Sequence, residues 1–387
     1  MIPVAIPIHL FLLAFENHTK MIHKYFYAFS ISFLFAFSGV YGQSENQLTD
    51  QEQAYRDSIE ALNAENERTA AAQDAYNAGI ELFQNKKYKE SIAQFNKAIE
   101  GDSSFQFAYF NKGVAQVEIE DFTSAINTFS ILIGMNDEHE MAYFNRARAY
   151  QGLNNQEAAI ADYNQVLFFN PKNENAYYNT GVAWFLLNDY LKAISMYDKA
   201  IRLNQNLSSA YNDRGSCYRM LQKYDLAIQD YSKSAELQND QAFVHNNIGT
   251  TKKLMNDFEG AKNAYSRALS IDPKFFLAYS NRAAMFYEQG KYAEAEKDFT
   301  SCIKINPNYA PAYSGRCACK HKREEYGEAI KDCDKAIDLD QNYAGAYVNR
   351  GIAKEMLRDQ VGACQDWTKG RELGSELARK YQVANCQ

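Results

Sequence analysis

The chain of 387 residues carries 23% charged and 46% hydrophobic residues and a net charge of −7, the balance of a folded soluble protein rather than of a disordered or collagenous one. A mildly acidic chain with no block of Lys and Arg is poorly suited to nucleic acid, where cations must meet phosphates, and no basic amphipathic stretch marks a membrane-surface helix. Six prolines leave room for long helices, and the 28 tyrosines call for a packing role.

Residues 1–20 hold an apolar stretch with no evident purpose, and the natural start is expected at Met21. Lys24 then supplies a short basic region, Tyr25 to Phe37 an apolar run, and Val40-Tyr41-Gly42 the small residues of a cleavage site. This is the anatomy of a secretory signal peptide over residues 21–42, leaving Gln43 as the new N-terminus. The chain is therefore expected outside the cytosol, periplasmic or extracellular. The alternative is an uncleaved membrane anchor over residues 25–40, for which the apolar run is short. Residues 43–71 are polar and acidic, and helix-prone from about Leu48.

From residue 72 the chain divides into nine units of 34 residues ending at residue 377, with no insertion or deletion. Position 8 of each unit is small (Gly79, Gly113, Ala147, Gly181, Gly215, Gly249, Ala283, Cys317, Gly351), and position 20 is Ala in all but the first unit, which has Ser91. Position 4 is Tyr in seven units, position 24 is aromatic in eight, and position 32 carries Pro171, Pro273 and Pro307. Two helices joined by a short turn approach closely only where facing side chains are small, so positions 8 and 20 supply the contact and the aromatics fill the space around it. Proline ends the second helix, and stacked hairpins bury a core that one alone cannot.

Small residues at 8 and 20, aromatics at 4 and 24 and proline at 32 resemble the tetratricopeptide repeat. The resemblance covers residues 72–377 and implies an all-α, right-handed superhelical solenoid of antiparallel helix hairpins, with the first helix of each hairpin lining the concave face. Residues 376–386 are placed to cap the last hairpin, leaving 378–387 as the end of that helix and a tail. Local departures, Ala75 and His245 at position 4 and Cys317 and Cys333 at positions 8 and 24, predict looser hairpins.

Arg at position 7 and Asp at position 23 occur in the same five units: Arg146 with Asp162, Arg214 with Asp230, Arg282 with Asp298, Arg316 with Asp332, and Arg350 with Asp366. The remaining four units lack both. The co-occurrence predicts a partly buried ion pair between the two helices of each such hairpin, and it argues against pairing between units. These carboxylates read as scaffold, not as catalytic acids.

By the same resemblance, positions 2, 5, 9 and 12 face the groove. The first four units place Tyr76, Phe107, Phe110, Val114, Met141, Phe144, Tyr178, Val182 and Phe185 there, with Arg148 as a polar exception, whereas position 5 turns to Asn and Ser from Asn212 onward. An exposed apolar stripe marks an interaction surface, with residues 43–71 or self-association as other ways to cover it. No basic residue stands at positions 2 or 5, so a clamp for an acidic C-terminus is not expected.

Seven cysteines are present. Most occupy small or core positions, where Cys behaves as a small apolar residue, and Cys364 with Cys386 is the pair expected to pin the terminal helix. Cys317, Cys319 and His321 on one helix point to different sides and cannot converge on a metal. No phosphate loop, nucleophile with an orienting base, or cofactor motif is present. The expectation is a non-catalytic scaffold that holds a protein or peptide in its groove, without metal, cofactor or nucleic acid. The alternative is a structural subunit of an envelope assembly acting through its convex face and caps.

Overall fold

The computed structural model describes residues 50–386. The expected start at Met21, the signal peptide over 21–42 and the anchor alternative over 25–40 lie outside the described residues. Among those described there is no strand, and no helix is long and apolar enough to cross a membrane. Contacts divide the chain after Glu67. Upstream, residues 50–67 are the opening turns of α1 (Asp50–Gln84), exposed from 56 to 67.

Downstream, helices alternate to the end of the chain: α2 (Tyr88–Gly101), α3 (Gln106–Glu118), α4 (Phe122–Met135), α5 (Glu140–Gly152), α6 (Gln156–Phe169), α7 (Glu174–Leu186), α8 (Tyr190–Leu203), α9 (Ser208–Met220) and α10 (Tyr224–Leu237). They continue as α11 (Ala242–Leu254), α12 (Phe258–Ile271), α13 (Phe276–Glu288), α14 (Tyr292–Ile305), α15 (Ala310–Lys322), α16 (Tyr326–Leu339), α17 (Ala344–Met356), α18 (Gln360–Glu372) and α19 (Glu376–Asn385). From α3 onward, each first helix begins at position 1 of its unit.

Two local devices set this rhythm. Within a hairpin, position 15 takes the left-handed conformation every time: Gly290 once, and otherwise residues such as Asn154 and Asn256 with φ between 58° and 64°. That conformation ends a helix and turns the chain. The next residue then caps the second helix where it is Asp or Asn, as Asp121, Asn155, Asp189, Asp257 and Asp359 each accept the amide three residues on. Between hairpins, position 31 forms an Asx turn: Asp102, Asn136, Asn170, Asn204, Asp272, Asn306 and Asp340 each accept the amide two residues later. Such a bond gives the backbone an alternative to another helical turn, so it stops the second helix even where no proline follows.

The core lies between the helices. Phe95, Phe129, Tyr163, Tyr197, Tyr231, Tyr265 and Trp367, all at position 24, are at most 1% exposed, and each stabilises its hairpin by about 1.5–3 kcal/mol of apolar burial. Position 8 is small because the ring lies against it: a Cβ added to Gly113 would sit 2.6 Å from the Phe129 ring. Where Cys317 and Cys333 replace this pair, the expectation of a looser hairpin fails. Their Cα atoms stand 5.6 Å apart and the two sulfurs form a disulfide, a covalent joint at the closest approach of α15 and α16.

Each second helix packs on the first helix of the next hairpin. First helices also pack on one another, α3 on α5, α7 on α9, and so on through α15 on α17. Crowding of first helices on one side is what curvature toward that side requires, and the result is an all-α solenoid with a first-helix inner face.

Candidate protein-binding groove

The five Arg–Asp combinations are brought together in one geometry. In each hairpin Nε donates to one carboxylate oxygen and Nη2 to the other, for example at 2.8 and 2.8 Å from Arg146 to Asp162 and at 2.8 and 2.7 Å from Arg214 to Asp230. Arg282–Asp298, Arg316–Asp332 and Arg350–Asp366 repeat it. The guanidinium also lies over the position 4 tyrosine, 5.4 Å from the centre of Tyr143 for Arg146, which gives that tyrosine column a second purpose.

Every Arg–Asp pair lies within one hairpin, as the co-occurrence predicts, and a further bond crosses to the neighbour: Nη1 of each arginine donates to position 25 of the preceding hairpin, at Ser130, Asp198, Ser266, Thr300 and Asp334. Any small side chain with an oxygen serves there, so no single residue type marks the column. Each arginine thus joins three helices. Burial, against the bonds from Arg214, keeps the Asp230 carboxyl above the usual carboxylate range, with the Asp198 charge adding to it.

A second ladder runs along the inner face. Position 6 donates to, or accepts from, position 5 of the preceding hairpin: Asn111 to the Tyr76 hydroxyl at 3.0 Å, Asn247 to Asn212 at 3.0 Å, Asn281 to Asn246 at 2.9 Å and Asn349 to Ser314 at 3.0 Å, while the Tyr178 hydroxyl donates to Asp213 at 2.8 Å. Where position 5 is Phe110 or Phe144 there is nothing to bond, and Asn145 and Asn179 turn back to the carbonyls of Met141 and Asn175 in their own helix. Asp213 stands where seven other units have Asn; burial raises its carboxyl above the usual range, against the bonds from Tyr178 and Asn212.

The position 5 aromatics are consequently less available than the sequence suggests. Each packs on the position 24 ring of its own hairpin, Tyr76 on Phe95 at 5.9 Å, Phe110 on Phe129 at 6.2 Å, Phe144 on Tyr163 at 5.5 Å and Tyr178 on Tyr197 at 5.9 Å. Phe144 is 6% exposed and is a core residue, not a groove contact, because its ring fills the wedge over Tyr163. Phe110 is half-buried and stacks on His139 at 5.5 Å, whose imidazole is held below its ordinary pKa by burial. The open apolar surface is at position 2, where Phe107 is 56% and Met141 37% exposed. Val114, Val182 and Phe185 form a half-buried floor beside them.

Three Lys or Arg residues stand on the inner face: Arg148, Arg219 and Lys253, of which Lys253 is paired with Glu288 at 2.6 Å. Arg148, at position 9 of its hairpin, donates to Asn145 at 3.2 Å. Arg219, at position 12 two hairpins further on, has a buried Nε without a hydrogen-bond partner. Among the described residues neither makes a salt bridge, although every arginine of the five pairs does. Arg219 escapes the sequence reading because the groove is sought there only in the first four units.

At the far end, Cys364 and Cys386 form a disulfide, with Cα atoms 5.7 Å apart. Alongside it Gln360 donates to the Asn385 carbonyl at 2.7 Å and Trp367 stacks on Tyr381 at 5.2 Å. The thiols of Cys217, Cys302 and Cys319 are buried, which pushes each of them up to about 12, far from the thiolate that nucleophilic or metal-binding chemistry needs.

Family models described as tetratricopeptide repeat match residues 110–174 and 144–208, 206–274, and 276–309. The solved structure of the APC/C hetero-tetramer Cut9-Hcn1 is 11% identical, over 82% of this chain and 76% of that chain, with a TM-score of 0.52. Yeast Tom70 is 16% identical over 81% of this chain and 94% of that chain, with a TM-score of 0.44. YrrB, described as a TPR protein with an unusual peptide-binding site, is 22% identical over 48% of this chain and 95% of that chain, at 0.40. No curated protein matches. At these identities the likeness speaks for the fold alone.

Proposed function

The chain is built from tetratricopeptide repeats, and from that premise we propose that it is a non-catalytic scaffold that holds a segment of another protein along the inner face of its N-terminal half. The observation that carries this reading is the exposure of Phe107 and Met141 side by side on consecutive first helices, above a half-buried apolar floor. Large apolar side chains lined up in a concavity gain most when a partner covers them.

The proposal extends to all nine units from residue 72 to 377, supported by first helices that begin every 34 residues from Gln106 to Ala344. It includes export. Two disulfides among the described residues suit an oxidising compartment better than the cytosol, in keeping with a signal segment over 21–42.

The test is affinity capture from the native cell envelope with the chain and with its Phe107→Ser/Met141→Ser variant, both checked by circular dichroism. Both side chains are exposed, so the variant should stay folded. A protein retained by the first and lost by the second supports the groove. Equal retention by both refutes it and favours a structural subunit working through its caps, where Val361 and Val383 are 72% and 77% exposed.

A further inference from the structure

A half-buried guanidinium without an anion is an expensive arrangement. It has given up part of its hydration, and neutral hydrogen-bond partners return only part of the lost interaction. This chain shows the ordinary solution five times, giving each position 7 arginine a bidentate carboxylate. Arg148 and Arg219 are half-buried as well, yet among the described residues no carboxylate meets either one. Both lie on the first-helix inner face. Arg148 is held in place by Asn145, and Arg219 is held by the Tyr231 hydroxyl but keeps a buried Nε with no acceptor. A guanidinium positioned by neutral partners and left without an anion marks where a ligand supplies one.

The spacing narrows the ligand. Arg148 is on α5 and Arg219 on α9, with α7 between them. α7 and α9 pack on one another, while α5 and α7 make no comparable contact; with packed helices about 8–10 Å apart, the two guanidinia span at least about 20 Å. An extended chain covers that distance in about six residues. Between them, α7 offers Val182 and Phe185, both half-buried, as an apolar floor.

We propose that the inner face takes an extended protein segment with two acidic side chains about six residues apart, one meeting Arg148 and the other Arg219, and with apolar side chains between them over Val182 and Phe185. This rests on the groove reading above and adds the partner's chemistry to it. Internal acids fit better than a chain end, because apolar surface continues past Arg148 to Met141 and Phe107, so the segment runs on in that direction.

The experiment selects a displayed library of random twelve-residue peptides on the purified full chain, and measures the best binders by fluorescence anisotropy. The expected binders carry two Asp or Glu about six residues apart with apolar residues between. Their affinity should fall about ten- to a hundred-fold with Arg148→Gln or with Arg219→Gln, and equally when the peptide's acids become amides. Binders that Phe107→Ser weakens, but that neither arginine substitution affects, would overturn this inference and leave the groove standing. Binders indifferent to all three substitutions, or no binders at all, would overturn both.

Discussion

Arg146 and Asp162 offer the sharpest test of how the hairpins are held. Asp162 is 7% exposed at its side chain and Arg146 17%, so neither charge is hydrated enough to stand alone. Arg146→Ala leaves a nearly buried carboxylate that has lost both bidentate bonds, a loss of about 3–5 kcal/mol. Asp162→Ala should cost less, about 2–3 kcal/mol, because the guanidinium keeps its 2.9 Å bond to Ser130 and its place over Tyr143. Removing both residues should cost less than Arg146→Ala alone, since no buried charge is stranded. The coupling between the two sites is then at least about 2 kcal/mol. Stacked repeats need not unfold as one unit, so the reading is native-state hydrogen exchange of amides in α5 and α6, alongside the denaturant midpoint. Single and double costs that simply add, or single costs below about 1 kcal/mol, would refute the reasoning and place the pair among solvated surface bridges.

Asp213→Asn restores the residue that seven other units carry at position 6 and removes a charge that burial disfavours. With the folded-state pKa raised, protonation stabilises the fold at low pH, and that contribution is lost as pH rises from the unfolded value of about 3.9 through the raised one. The substitution should therefore add about 0.5–2 kcal/mol at pH 7, with the advantage shrinking toward pH 4; a gain that ignores pH would point to some other cause. Two glycines should respond with opposite signs in thermal melts. Gly113→Ala drives a Cβ into the Phe129 ring and should cost about 1–3 kcal/mol, whereas Gly134, helical with nothing within 4 Å of its would-be Cβ, should gain up to about 1 kcal/mol as Ala. Cys386→Ser opens the loop of 22 residues closed onto Cys364 and should weaken the docking of α19 by about 3 kcal/mol. Trypsin cleavage after Arg379 and Lys380 would then rise sharply, and an unchanged cleavage rate would show that the Trp367–Tyr381 stack suffices.

Much of this fold is legible in the chain because each hairpin repeats one local problem, and the repeated solutions in register act as their own alignment. Small residues at position 8 and rings at position 24 can be read directly, since a Cβ and a ring cannot share one space. Arg at 7 with Asp at 23 can be read too, because a bidentate pair tolerates no substitute on either side. Position 25 cannot: a single Nη1 donor accepts Ser, Thr or Asp alike, and the bond between neighbouring hairpins disappears into an ordinary polar column. Position 15 is hidden in the same way, because the turn holds Lys86, Glu120 or Gln222 in a left-handed conformation that their residue types do not announce.

The groove marks the limit. Sequence periodicity assigns Phe107 and Phe144 to one inner face, but exposure depends on the curvature of the stack and on what lies beneath each ring. Only the tertiary structure sinks Phe144 onto Tyr163 and leaves Phe107 open. It also decides that Arg146 is satisfied and Arg148 is not, two residues apart on one helix. The helical pitch turns the first toward Asp162 and the second toward the inner face, where it meets Asn145 and, among the described residues, forms no salt bridge. Periodicity thus determines which helices form and which faces they bury, because those follow from local sterics and spacing. Which charged groups remain unpaired is decided by contacts between hairpins 34 residues apart, which only the assembled solenoid brings together.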